Sequence, residues 1–308
     1  MEFAWIPLSV FAAFMQAIRT AAQKTLNQRL STMATTYVRS LAGLPFLLLF
    51  LAAVLVFEGG GMPPWHIAFL AFAAAGALTQ VIATALLIRL FTLKTFAVGS
   101  MLIKSDILMT AVIGSVWFSE RLSASGWTAL LVVMVGVLLL LGARFGPRAL
   151  APGDETLGSL LRGPATRVAL GCAMMFSFSY LCIREATLAI GPGSFLWRGG
   201  WTVVAVTAMQ VVCLGAWLLF TEPRMFTQLW PNRRLVSFIG LTSALGSIGW
   251  FTAFALENAS YVRAVAQVEA VFTILISWFY FRESIRREEL AGIVVMIAGV
   301  LMFRLLDP

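Results

Sequence analysis

The sequence predicts an all-α membrane protein, ten transmembrane helices forming a five-plus-five inverted repeat, on the strength of three observations. Of 308 residues 60% are hydrophobic and only 12% charged, with a mean hydropathy of +0.91, whereas soluble domains carry about 45–50% apolar and about 25% charged residues. The apolar residues fall into ten runs separated by short polar breaks, and one bilayer span needs about 20 of them. The two halves of the chain also match one another at a constant spacing. Soluble enzymes, nucleic-acid modules and disulfide scaffolds are excluded as classes. The net charge of +8 then reads as topology signals in loops, and no nucleic-acid partner is expected.

Along the chain the expected spans are residues 4–22, 34–57, 65–87, 96–118, 126–141, 167–183, 195–220, 235–256, 259–281 and 290–303. The first has neither a basic segment before it nor a small-residue cleavage site after it, so it reads as a retained span rather than a signal peptide. The second ends at Glu58-Gly-Gly-Gly-Met-Pro-Pro, and Gly191-Pro-Gly separates the sixth from the seventh; both are helix breakers. The longest connection runs from Arg144 to Arg162, rich in Gly, Pro and charge. It divides the chain into a first five-helix repeat (1–143), a connecting loop (144–166) and a second five-helix repeat (167–308). Spans five and ten contain no ionisable residue and read as outer packing helices, or as the face of a homodimer. Trp5, Trp65, Trp117, Trp230 and Trp278 fall near span ends, as interfacial anchors do. Cys172, Cys182 and Cys213 lie in apolar segments without metal-ligand spacing and read as small core residues. No metal or cofactor is expected.

The internal match is carried by Glu120 and Glu283, which are 163 positions apart; the same offset pairs Phe91 with Phe254, Thr110 with Thr273, Phe118 with Phe281 and Gly136 with Gly299. Five spans per copy is an odd number, so the second copy is inverted in the membrane. Inverted repeats characterise secondary transporters, which bind solute near the midplane between the copies. Phe118-Ser-Glu-Arg-Leu-Ser before the Gly136-Val-Leu helix, and Phe281-Arg-Glu-Ser-Ile before the Gly299-Val-Leu helix, resemble the paired repeats of EamA-type transporters of the drug/metabolite transporter superfamily. The resemblance runs from about Phe3 to Phe303 and implies export or exchange of small metabolites through a central cavity.

Of the 22 basic residues, fourteen lie in one set of alternating loops and three on the opposite side. The charge bias places both termini outside the cell, whereas the resemblance implies cytoplasmic termini. The remaining five, Arg19, Arg39, Lys104, Arg198 and Arg263, fall inside spans. Each costs about 2.5–3.5 kcal/mol at a helix centre unless it meets a partner or water. The deepest acids, Asp106 and Glu269, are equivalent under the 163 offset, and each has a threonine four residues later, Thr110 and Thr273. Two roles stay open for the acids, proton or cation binding in the cavity and a structural salt bridge. Lys104 and Asp106, two residues apart, point to different sides of their helix and to different partners. The offset also pairs Lys104 with Gln267.

Gln16, Arg19, Thr20 and Gln23 form a polar stripe on span one; Ser177, Tyr180 and Arg184 do so on span six, Gln80 and Thr84 on span three, and Ser243, Gly246, Ser247 and Trp250 on span eight. Such stripes do not face lipid cheaply. Gln16, Arg19, Lys104, Tyr180, Trp250 and Gln267 are therefore the candidate solute contacts, with Asp106 and Glu269 as coupling or salt-bridge groups. Glu120 and Glu283 read as carboxylates at helix N-termini. The expected activity is secondary active transport of a small-molecule substrate, amino-acid-like or anionic, by a multi-pass protein of the cell inner (plasma) membrane whose partner is the lipid bilayer. The alternatives are a cationic drug exporter, a lipid flippase, a non-transporting scaffold and an intramembrane enzyme. The last has little support, because the single histidine, His66, sits at a span end and offers no catalytic constellation.

Overall fold

The computed structural model describes residues 3–92, 102–145, 163–281 and 286–305, and all regular structure among them is helical. The helices are α1 (Trp5–Leu26), α2 (Thr32–Glu58), α3 (Ile67–Thr92), α4 (Asp106–Trp117), α5 (Ala124–Phe145), α6 (Pro164–Ala189), α7 (Phe195–Thr221), the short α8 (Met225–Leu229), α9 (Arg233–Leu256), α10 (Ala259–Val265), α11 (Glu269–Phe281) and α12 (Arg287–Leu305). A single 3-10 turn, Ala266–Val268, joins α10 to α11. Glu283 and most of the connecting loop lie outside the described residues. Among the described residues, seven segments are long and apolar enough to cross a membrane: Thr32–Glu58, Ile67–Leu87, Ala124–Ala143, Pro164–Ala189, Phe195–Thr221, Arg233–Leu256 and Ala259–Ile276. The polar stripe of α1 lowers its hydropathy, α12 opens on Arg287-Glu-Glu, and α4 has only 12 residues.

Two compact units are present, and they cut across the sequence halves. The first comprises Met1–Val81 with Cys182–Asn258, the second Ile82–Leu181 with Ala259–Pro308. In the first unit α9 is the central helix, packed by α1, α2 and α7. Small residues allow the close approach: a Cβ added at Gly249 would lie 2.8 Å from the Ala12 Cβ and 3.0 Å from the Leu8 carbonyl oxygen. Serine caps start α2 and α7, Ser31 accepting from the Ala34 amide at 3.1 Å and Ser194 from the Trp197 amide at 3.0 Å. Each satisfies one of the backbone donors a helix start leaves orphaned. Leu26, Ala34, Val38, Leu218 and Ile239 form the buried centre of one apolar cluster. Trp5 is buried rather than interfacial, while Trp65, Trp117, Trp230 and Trp278 are exposed as anchors should be. Cys172 and Cys182 are core residues, but Cys213 is exposed.

In the second unit α5 and α12 lie against one another, so the two helices without central charge are each other's principal neighbours. Their contact is again made by missing side chains. A Cβ at Gly292 would stand 2.6 Å from the Leu140 amide nitrogen, and one at Gly299 would stand 2.7 Å from the Val133 Cγ2. Their outer faces, with Leu131, Val135, Leu138, Val294 and Leu301, remain exposed. Helix α10 packs on α4 and α5.

Candidate functional site

The second unit contains a buried ionic cluster built from both sequence halves. The Arg263 Nη2 donates to the Asp106 Oδ2 at 2.7 Å, with side-chain exposures of 11% and 3%. The same guanidinium lies over the ring of Tyr180, its Cζ 4.1 Å from the centroid, in cation–π geometry. Tyr180 is held in turn by stacking on Phe176, with ring centroids 6.0 Å apart and an interplanar angle of 8°. Ser177, fully buried, donates to the Asp106 main-chain carbonyl at 3.0 Å and to that of Ala173 at 2.9 Å. The Gln267 Nε2 donates to the Arg263 carbonyl at 3.2 Å. Glu269 lies within electrostatic reach of Arg263 and Tyr180.

Local backbone geometry explains why the acids stand where they do. Asp106 is the first residue of α4 and Glu269 the first residue of α11. A turn at Lys104–Ser105 precedes the one, and the 3-10 turn Ala266–Val268 precedes the other. Under the 163 offset these breaks coincide. Each repeat therefore interrupts its helix immediately before its intramembrane acid, where the positive end of the helix dipole favours a carboxylate. Neither break contains glycine or proline, so no sequence signal marks it. The threonines that follow, Thr110 and Thr273, spend their hydroxyls on the carbonyls of Asp106 (2.6 Å) and Glu269 (2.9 Å). They steady the helix start and do not share the acids' side-chain chemistry.

Three atoms of this cluster are buried with no hydrogen-bond partner among the described residues: the Asp106 Oδ1, the Arg263 Nε and the Gln267 Oε1. An unsatisfied buried polar atom costs about 1–3 kcal/mol, and this cluster carries three on adjoining side chains. It offers two acceptors and one donor.

Of the remaining predicted contacts, Gln16, Arg19 and Trp250 lie in the first unit. The Trp250 Nε1 donates to the Gln16 Oε1 at 3.2 Å, which joins the polar stripes of α1 and α9, and Arg19 is buried on the same helix as Gln16. Lys104 occupies the turn before α4 in the second unit, where Tyr180, Gln267, Asp106 and Glu269 also belong. The eight candidates are thus divided between units, three in the first and five in the second. Asp106 pairs with Arg263, contributed by the other repeat.

Two intramembrane arginines prove to be occupied. Arg263 is neutralised by Asp106. The Arg198 Nη2 donates to the Ala255 carbonyl at 2.9 Å, near the end of α9. There Arg184 joins it, donating from Nε to the Glu257 carbonyl at 3.1 Å and from Nη2 to the Asn258 Oδ1 at 2.9 Å. Two guanidinium groups at a helix C-terminus meet its unpaired carbonyls and its negative dipole end. The apparent excess of buried cations is smaller than a count along the sequence suggests.

A polar ladder, of which pattern reading singled out only Gln80, links α2, α7 and α3. The Ser40 Oγ donates to the Gln210 Oε1 at 3.3 Å, and the Gln210 Nε2 donates to the Gln80 Oε1 at 2.5 Å. The available signal was a lone glutamine within the 27-residue apolar helix α7.

A family model described as the EamA-like transporter family matches the chain twice, over residues 3–142 and 165–305. No curated protein matches it significantly. A solved crystal structure, described only as that of a protein, superposes with a TM-score of 0.68 at 15% sequence identity, covering 99% of this chain and 99% of its own. At that identity the likeness is one of fold.

Proposed function

Because this chain belongs to the EamA-like transporter family, we propose that it is a secondary active transporter of the cell's plasma membrane that exports or exchanges a small amino-acid-like or anionic metabolite by alternating access. Ten spans are obtained by adding α1, α12 and the segment that α4 belongs to to the seven segments that satisfy the length and hydropathy requirement. No phosphate-binding loop for a nucleotide is present in the sequence, and electrochemical gradients suffice, about 2.3 kcal/mol per charge per 100 mV.

The observation that carries this proposal is the Asp106–Arg263 pair with its three unpartnered atoms at the start of a broken helix. Discontinuous helices place ends of backbone and charged side chains at solute sites in secondary transporters. A solute bearing both a donor and an acceptor, such as an amino-acid-like zwitterion, meets the two free acceptors and the one free donor together. The same two-to-one balance favours a second reading, a cationic solute held by the Asp106 Oδ1 and the Gln267 Oε1.

Metabolite profiles of deletion and overexpressing cells identify candidate solutes, and counterflow in proteoliposomes then tests them. Exchange without chemical conversion is the expected result. Conversion of the solute would establish an enzyme, and neither exchange nor conversion for any profiled metabolite would leave a scaffold. Exchange limited to lipids would establish a flippase.

A further inference from the structure

Glu120 lies three residues beyond the end of α4 and is only 4% exposed. The chain reaches it through Ser119, whose φ of 54° is the single positive value outside glycine among the described residues. Left-handed backbone at a non-glycine residue is sparsely populated and persists where surrounding contacts over-determine it. Here the turn returns the Glu120 amide to the Gly114 carbonyl at 2.9 Å and folds its side chain back along α4. Gly114 is needed for that path, because a Cβ there would stand 2.6 Å from the Glu120 Oε2.

The carboxylate caps a helix other than the one that follows it in sequence. It accepts from the Ala259 amide at 2.6 Å and from Ser260 twice, the hydroxyl at 2.5 Å and the amide at 3.4 Å. Those groups are the start of α10, contributed by the other repeat. Four residues beyond Ala259, α10 presents Arg263 to Asp106, and Asp106 is the first residue of α4. Helix α4 therefore holds α10 at two points: the acid at its beginning takes the guanidinium, and the acid after its end takes the helix start.

From this we infer that Glu120 is a positioning residue for Arg263, fixing the start of α10 so that the guanidinium lies between the Asp106 carboxylate and the Tyr180 ring. The placement stands on these contacts alone; its consequence for transport rests on the function proposed above. Losing the clip frees the first turn of α10, and Arg263 then leaves its pocket more often without any change in its own chemistry.

The test uses the full chain in lipid nanodiscs and needs no solute. Phenylglyoxal, an arginine-specific dicarbonyl, labels guanidinium groups, and mass spectrometry reads the rate at Arg263; Arg19, buried on α1 in the first unit, is the control. Glu120→Gln should raise the Arg263 rate at least fivefold and leave Arg19 unchanged, together with faster amide hydrogen exchange over residues 259–265. Ser260→Ala keeps the carboxylate and removes one donor, so it should give a smaller change in the same direction, and it decides the matter should Glu120→Gln not fold. Ser119→Gly accommodates the same turn and should leave the rate unaltered. Faster exchange at 259–265 with an unchanged Arg263 rate would reduce Glu120 to a local cap, and equal acceleration at Arg263 and Arg19 would mean general loosening. Either result overturns the inference.

Discussion

Ser40, Gln210 and Gln80 in the first unit and Asp106, Arg263 and Gln267 in the second are both polar triads set among apolar helices, yet they are finished differently. In the first, two hydrogen bonds run in sequence through neutral groups from α2 to α7 to α3. In the second, a charged pair is made through one oxygen and one nitrogen, while three further atoms stay unsatisfied. A neutral ladder fixes helices against one another. A half-satisfied ionic cluster retains polar valences for another molecule, and removal of either charge strands the other in low dielectric. On the function proposed above, the ladder is support and the cluster is the place of solute chemistry.

The largest effect that would break this division comes from the ion pair. Asp106→Asn or Arg263→Gln should each lower solute counterflow at least a hundredfold and reduce stability by about 3–5 kcal/mol, the usual consequence of leaving a buried charge unpaired. Combining the two should restore part of the stability, since neither charge is then stranded, and none of the transport. Thermal unfolding in detergent and counterflow in proteoliposomes measure the two quantities. Recovery of transport in the double variant would make the pair a strut of the same kind as the ladder.

Glu269→Gln is expected next in size. Asp106 is committed to Arg263, and Glu269, its equivalent in the second repeat, begins its own helix beside the 3-10 turn and within electrostatic reach of the same guanidinium. The variant should abolish proton-driven uptake and leave solute counterflow measurable, because exchange needs the binding site but no net proton movement. Uptake that keeps its normal pH dependence in Glu269→Gln would remove the coupling role.

Gln210→Met probes the other side of the comparison. It removes both bonds of the ladder and leaves the Gln80 Oε1 and the Ser40 hydroxyl without that partner, at a cost of about 1–3 kcal/mol. Counterflow should stay within about threefold of the parent once the protein is folded, as expected for a support. A transport loss comparable to that of Asp106→Asn would erase the distinction between the triads.

The sequence made the membrane class, the helical fold and the duplication legible because hydropathy and a constant offset are local or periodic signals. It also marked Asp106 and Glu269, since an acid inside an apolar run stands out. The partner of Asp106 was not legible: Arg263 lies 157 positions away, and nothing in the pattern separates it from the other four cations within spans. The helix breaks before both acids were hidden because Ile103-Lys-Ser and Ala266-Gln-Val carry no breaker residue. Glu120 was recognisable as a carboxylate beside a helix start, but the helix it caps belongs to the other repeat. Arg198 read as a free intramembrane charge because its partner, a backbone carbonyl at the end of α9, has no side-chain signature.

The smallest expected effect concerns Arg19, a cation of the first unit buried on α1 one turn from Gln16. Were the first unit support alone, Arg19→Ala would change stability and treat all solutes alike. A guanidinium that contacts solute behaves otherwise, because it pairs with a carboxylate through parallel hydrogen bonds that a neutral analogue cannot form. Arg198 and Arg263 bond to Ala255 and Asp106, and Arg19, buried on the polar stripe of α1, is the carboxylate contact that this substitution probes. Arg19→Ala should therefore weaken binding of a carboxylate-bearing solute about tenfold, equivalent to about 1.4 kcal/mol, and leave its matched amide within twofold. Binding of the two solutes to the parent and the variant gives four affinities and one difference. A zero difference would confine solute recognition to the second unit, and equal affinity of the parent for both solutes would favour the cationic solute instead.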